Sequence, residues 1–210
     1  MSTQPQPLRW TITDPATPQG EITIAGWDFG GSGPIALLHH ANGLCGATWG
    51  LVAESLAEHF HVIAIDARGH GDSDPRTVPD GYRWSYFVHD LIEVARQLLQ
   101  THDQEQIDYG IGSSLGGIIT AAAEAAQPGL FKRIAMLDPP IHPTPELLHH
   151  FGLPATGDSG AFSVDLSGDR RRQLVAMTRR RKRVWPSRSA ARDGWRTKPM
   201  FAPWQPRALD

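Results

Sequence analysis

A single cysteine, Cys45, among 210 residues leaves the chain without any internal disulfide. No apolar run approaches the roughly 18 to 20 residues that a membrane helix requires, so no membrane partner is expected. Residues 1–18 are polar and proline-bearing with no apolar centre, which gives no secretory signal and makes a cytoplasmic setting the default expectation. Charge of one sign is lacking as well, the formal net charge being −2. What remains is ordinary for a globular protein: 40% hydrophobic and 20% charged residues, in a length that suits one core with a smaller excursion.

The near-neutral total hides two unlike parts. Residues 165–210 hold thirteen of the twenty Lys and Arg but only four of the 22 Asp and Glu, a balance of +9 against −11 for everything before them. A change of this size marks a boundary, and the chain is read as a core over 1–143 followed by a second region over 144–210. Residues 169–183, DRRRQLVAMTRRRKR, form a candidate helix with Leu174, Val175 and Met177 as its apolar stripe. Its arginines read as a solvated face or as a lining against an acidic core. No aromatic-interleaved nucleic-acid module accompanies them, so no nucleic-acid partner is expected. Histidines such as His59 and His61 lack further ligands at metal-binding spacing, and no metal is expected.

Before that boundary, strand and helix alternate. Edge-strand and half-exposed patterns over 8–13 and 21–28 precede continuous apolar runs at 35–39 and 61–66, as in strands buried on both faces of a parallel sheet. Trp49, Val52, Leu56 and Phe60 give helical spacing over 47–60, and Phe87, Leu91, Val94, Leu98 and Leu99 mark one face of a helix over 84–101. A strand into a glycine turn at 107–117, an alanine-rich helix over 115–127 and a strand over 133–137 complete the series. The predicted fold class is α/β, with a mostly parallel doubly wound sheet.

The chemistry concentrates at 107–117, IDYGIGSSLGG. Gly112, Ser114 and Gly116 spell G-x-S-x-G, between a buried strand and a helix. A sharp strand-to-helix turn presents a serine hydroxyl outward, and its small neighbours let the backbone fold back on itself. The N–H groups that open the helix can receive negative charge. The other reading, a dinucleotide G-x-G-x-x-G, would need glycine where Leu115 stands. A second glycine-bearing loop, HANGLCG at 40–46, follows an earlier buried strand at the place where ligands sit in such sheets.

HHANG, then DARGHGDS at 66–73, then GSSLGG resemble in order and spacing the α/β-hydrolase fold family, of the capped, epoxide-hydrolase and esterase-like kind. The resemblance covers residues 8–140, and the basic remainder is similar to the start of that family's helical cap. It implies Ser114 as nucleophile, the N–H groups of Leu115 and Asn42 as the oxyanion hole, and His40 and Gly43 as residues that shape the loop. The family loop has His-Gly, whereas Ala41 stands at the glycine place here. Asp66, Arg68 and His70 would fix loops by hydrogen bonds, and Ser113 would line the site. Asp138 is the candidate acid, the alternative being a strand-end residue that orders the Pro139-Pro140 turn. Trp185, Trp195 and Trp204 would shape an apolar cap pocket. No cofactor is implied.

The family's triad histidine follows its last strand, beyond the cap, and this chain ends within what resembles the cap. His142, His149 and His150 follow the nucleophile but stand at the cap entrance. The expectation is a C-terminally truncated serine hydrolase acting through an acyl-enzyme on a small ester or related carbonyl substrate, with weak or no turnover for want of a base. The alternatives are a non-catalytic fragment or binding protein that retains the pocket, and the same scaffold running lyase or cofactor-free chemistry. With its closing strands missing, the strand over 133–137 would be an exposed apolar edge open to self-association.

Overall fold

A computed structural model describes residues 4–17, 19–78, 80–139, 176 and 185–198 of the chain. The chain folds into two compact units, Met1–Ile141 and His142–Asp210.

In the first unit a six-stranded sheet has the order β1-β2-β4-β3-β5-β6. Strands β1 (Gln6–Asp14) and β2 (Gly20–Gly30) form an antiparallel hairpin, and β2 runs antiparallel to β4 (His61–Ile65). From there β3 (Ile35–His39), β5 (Ile107–Ser113) and β6 (Phe131–Leu137) continue the sheet in parallel. A 3₁₀ turn (Gly46–Trp49) and helix α1 (Gly50–Leu56) connect β3 to β4. Helix α2 (Trp84–His102) precedes β5, and α3 (Leu115–Ala126) joins β5 to β6.

The central parallel strands β3 and β4 are apolar because each is covered on both faces. Along β3, Ile35 and Leu37 face a cluster completed by Leu91, Val94 and Leu98 of α2 and Ile119 of α3. Ala36 and Leu38 face the other side, with Val62, Ala64, Trp49 and Ala53. β1 instead alternates, burying Trp10, Ile12 and Asp14 and exposing the residues between them, as expected for a strand with one wet face.

The helix anticipated over 47–60 is shorter, and its inward residue differs: Ala53 is buried while Val52 is 48% exposed. The intervening 3₁₀ turn, at three residues per turn, resets the phase that the 3.6-residue spacing assumed. The candidate helix over 169–183 lies outside the described residues apart from Ala176, which is helical. In the second unit a helix not anticipated from the sequence, α4 (Arg188–Arg196), is capped by the Ser187 hydroxyl, which accepts the Ala190 N–H at 3.1 Å. Gly194 lies so close to Trp185 that an added Cβ would meet its ring at 2.2 Å. Trp204 falls outside the described residues.

Candidate active site at the carboxyl ends of the parallel strands

Ser114 sits between β5 and α3 with φ 51° and ψ −112°, a left-handed value that a serine adopts only at a cost of about 1 to 3 kcal/mol. Its neighbours explain how the turn closes. A Cβ on Gly112 would stand 2.3 Å from the backbone of Gly116, and one on Gly116 would stand 2.2 Å from the carbonyl oxygen of His39. The start of α3 therefore rests directly on the end of β3. Gly116→Ala should cost about 1 to 3 kcal/mol by overpacking, since the nearest atoms it meets are backbone; an unchanged urea midpoint would refute that contact.

The Ser114 N–H donates to Leu137 O at 2.8 Å, tying the turn to the end of β6. The Ser114 hydroxyl makes no hydrogen bond among the described residues and is half-buried. Leu115, Gly116 and Gly117 open α3, where N–H groups have no intrahelical acceptor. Asp138 follows β6 one residue after the partner of Ser113, with φ 49° and an exposed side chain. The structure thus brings Ser114, Leu115 and Asp138 to neighbouring strand ends. The His40–Gly46 loop leaves β3 beside them, because His39 pairs with Gly112 in the sheet.

That loop is held by the one after β4. The Asp66 carboxylate accepts the N–H of Gly46 at 2.6 Å and of Asp72 at 2.9 Å. The Ala67 N–H donates to His40 Nε2 at 2.9 Å, so the His40 proton resides on Nδ1 and is donated to Ala41 O at 2.8 Å. His40 is a neutral strut between two loops. Burial lowers its pKa to about 4, with the nearby His70 acting in the same direction and the bond to Ala41 opposing. His39, whose part no local pattern signals, is buried beside it, and burial together with His40 lowers its pKa to about 3. Neither ring is basic enough to serve as a general base at neutral pH.

Asn42 and Gly43 lie exposed at the loop tip, Gly43 with φ 79°. Asn42 faces His70, whose ring also packs at a tilt against His40, centroids 5.1 Å apart. Cys45 is no competing nucleophile: burial and the Asp66 carboxylate raise its pKa. Among the described residues no cluster of three or more His, Cys, Asp or Glu could hold a metal. His142, His149 and His150 lie outside the described residues.

Beneath the loops Arg68 is wholly buried. Its Nε and Nη2 donate to the two oxygens of Asp90 at 2.7 and 2.6 Å, and its Nη1 to Gly81 O at 2.9 Å and Asp14 at 3.4 Å. Burial opposes the charge, but the Asp90 and Asp14 carboxylates outweigh it and hold the guanidinium above its ordinary pKa. At the opposite end of the sheet a groove of about 540 Å³ is lined by Gly33, Pro34, Glu105, Asp108 and Lys132. Asp108 is already committed there to the Ile35 N–H and to Lys132, a structural arrangement.

A mixed sheet with a serine on a strained strand-to-helix turn, facing a loop from the neighbouring strand, defines a class, and known proteins of that class match the chain. The family described as alpha/beta hydrolase fold matches residues 34–191, and the chain belongs to that family. An uncharacterized protein of Mycobacterium tuberculosis is 37% identical over 108 residues, 51% of this chain and 29% of that one. The (E)-2-((N-methylformamido)methylene)succinate hydrolase of Acinetobacter baylyi is 28% identical over 108 residues, 51% of this chain and 38% of the relative. A thermophilic esterase from Thermogutta terrifontis, solved with malate bound, superposes with a TM-score of 0.53 at 29% identity, over 61% of this chain and 44% of its own. The match thus spans less than half the length of each relative. No helix among the described residues is long and apolar enough to cross a membrane.

Proposed function

We propose that the chain carries the nucleophilic half of a serine hydrolase that acts on a small ester or related carbonyl substrate through an acyl-enzyme. The observation that supports this reading is the backbone of Ser114, whose positive φ between β5 and α3 is the strained strand-to-helix turn that a nucleophilic serine occupies. Ser114 Oγ attacks the carbonyl carbon as its proton passes to a general base; the tetrahedral intermediate then expels the leaving group, which takes up that proton, and water hydrolyses the acyl-enzyme that remains. The oxyanion is received by the N–H groups of Leu115 and Asn42, in a loop shaped by His40 and Gly43. Asp138 supplies the acid. The esterase and the succinate-derivative hydrolase among the relatives support a carbonyl substrate.

A second reading, a chain that keeps the pocket but binds without turnover, is favoured by the Ser114 hydroxyl itself, which no base engages among the described residues. A fluorophosphonate probe separates the two. Labelling of the wild type that disappears in Ser114→Ala supports the nucleophile, and the absence of labelling in both supports the binding reading.

A further part of the proposal concerns β6, which forms one edge of the sheet among the described residues, with Ile134, Met136 and Leu137 each 38 to 47% exposed. Such an edge is open to pairing with another strand, and self-association through it is expected. Light scattering should show mass rising with concentration, and Ile134→Lys with Met136→Lys should suppress the rise. A wild type that stays monomeric at high concentration would count against it.

A further inference from the structure

His70 stands between two oxygen atoms. Its Nδ1 lies 3.0 Å from the backbone oxygen of Arg68, and its Nε2 lies 3.3 Å from the side-chain oxygen of Asn42. Both oxygens accept only, while a neutral imidazole has a single N–H. The Arg68 carbonyl is backbone and cannot exchange donor for acceptor. With the proton on Nε2 instead, the Nδ1 lone pair would face that carbonyl at 3.0 Å, two acceptors opposed. A neutral His70 therefore keeps its proton on Nδ1 and offers a bare Nε2. The neighbouring side chain that can satisfy Nε2 is Asn42, through its amide NH₂, reached by turning that amide through half a rotation. A protonated ring has two N–H groups, and then the amide oxygen belongs against Nε2.

We propose that His70 is a positioning residue that sets which end of the Asn42 amide the His40–Gly46 loop presents, and that its protonation reverses it. With His70 neutral the exposed end is the carbonyl oxygen, an acceptor suited to substrates bearing an N–H or O–H beside the reacting carbonyl. With His70 protonated it is the NH₂, a donor suited to substrates bearing a carboxylate. The ring is held on one side by His40, against which it packs at a tilt with centroids 5.1 Å apart, and His40 is itself fixed by Ala67 and Ala41. The other titratable groups of the surrounding loops are His39 beside His40, Asp66, whose carboxylate clamps the loops, Asp72, whose backbone N–H that carboxylate receives, and Cys45; Arg68 is turned into its buried pair with Asp90.

The substrate consequence rests on the proposed hydrolase reading, whereas the coupling rests on the hydrogen bonds alone. Long-range ¹H–¹⁵N spectra of the labelled 210-residue chain test it without turnover. The expected results are an Nδ1–H tautomer for neutral His70, Asn42 NH₂ signals that shift together with the His70 ring, and an Asn42→Asp variant in which the ring's midpoint rises, because a carboxylate can only accept. An Nε2–H tautomer, Asn42 signals indifferent to the His70 titration, or an unmoved midpoint in Asn42→Asp would each overturn the proposal. The serine probe reports separately on the hydrolase reading, so failure of one is distinguishable from failure of the other.

Discussion

Arg68→Met should lower the free energy of unfolding by about 3 to 5 kcal/mol, the cost of leaving a buried carboxylate without its cation. Asp90 is only 3% exposed, and both its oxygens are taken up by Arg68, so removing the guanidinium leaves both without that donor. Asp14 is less affected because Arg76 Nε still donates to it at 2.6 Å. The decisive comparison is Arg68→Met combined with Asp90→Leu. Removing both charges leaves an apolar pair in an apolar setting, and the double variant should be more stable than Arg68→Met alone. Urea denaturation of the four corners of the cycle measures this. A single-variant loss below about 1 kcal/mol, or a double variant no better than the single, would show that the pair is not the strut its geometry describes.

Acid should destabilise the fold well above the range in which carboxylates titrate. His39 and His40 are neutral in the folded chain, with pKa values lowered to about 3 and about 4, whereas an unfolded histidine titrates near 6.5. As pH falls through 6.5 the unfolded chain binds protons that the folded chain refuses, so stability declines until the folded rings titrate in turn near 4 and 3. At pH 5 the loss is about 2 kcal/mol for each ring, or about 4 kcal/mol for the pair. Burial works against Asp14, but the Ala16 N–H and Arg76 hold its carboxyl below the ordinary value. Its contribution is lost only at lower pH, while burial pushes the Asp90 carboxyl up and so opposes the loss; the His39 comparison separates the ring from both. Replacing His39 with a non-titrating residue should flatten the slope from about pH 7 to 5 by about half, even if it lowers stability throughout. An unchanged slope would rule out the buried neutral ring as its source.

How much of this could be read from the sequence follows from the range of each interaction. β3 was legible because five consecutive buried residues need no partner to be recognised. The Ser114 turn was legible because its sterics are settled within five residues, Gly112 to Gly116. The parts that hold the site together were harder to read. Asp90 lies 22 residues and Asp14 lies 54 residues from Arg68 along the chain, and nothing local marks either as its partner. The loop after β4 was legible as a set of hydrogen-bonding residues, yet which N–H each would receive depends on β3 and β4 lying side by side. His39 was read as the last residue of an apolar strand. Its neutral state arises from burial against a helix start that only the closed sheet supplies.

The two loops joined through Asp66 and His40 also bear on how this site can change. Because the Gly46 N–H ends on a carboxylate twenty residues away and the Ala67 N–H ends on the ring of His40, neither loop has a complete set of partners of its own. Segments 40–46 and 66–73 are in effect one module interrupted by a helix and a strand. Substitutions in one are constrained by the other, and a graft that moved either segment alone into a related scaffold would carry half of its hydrogen bonds and leave the rest behind.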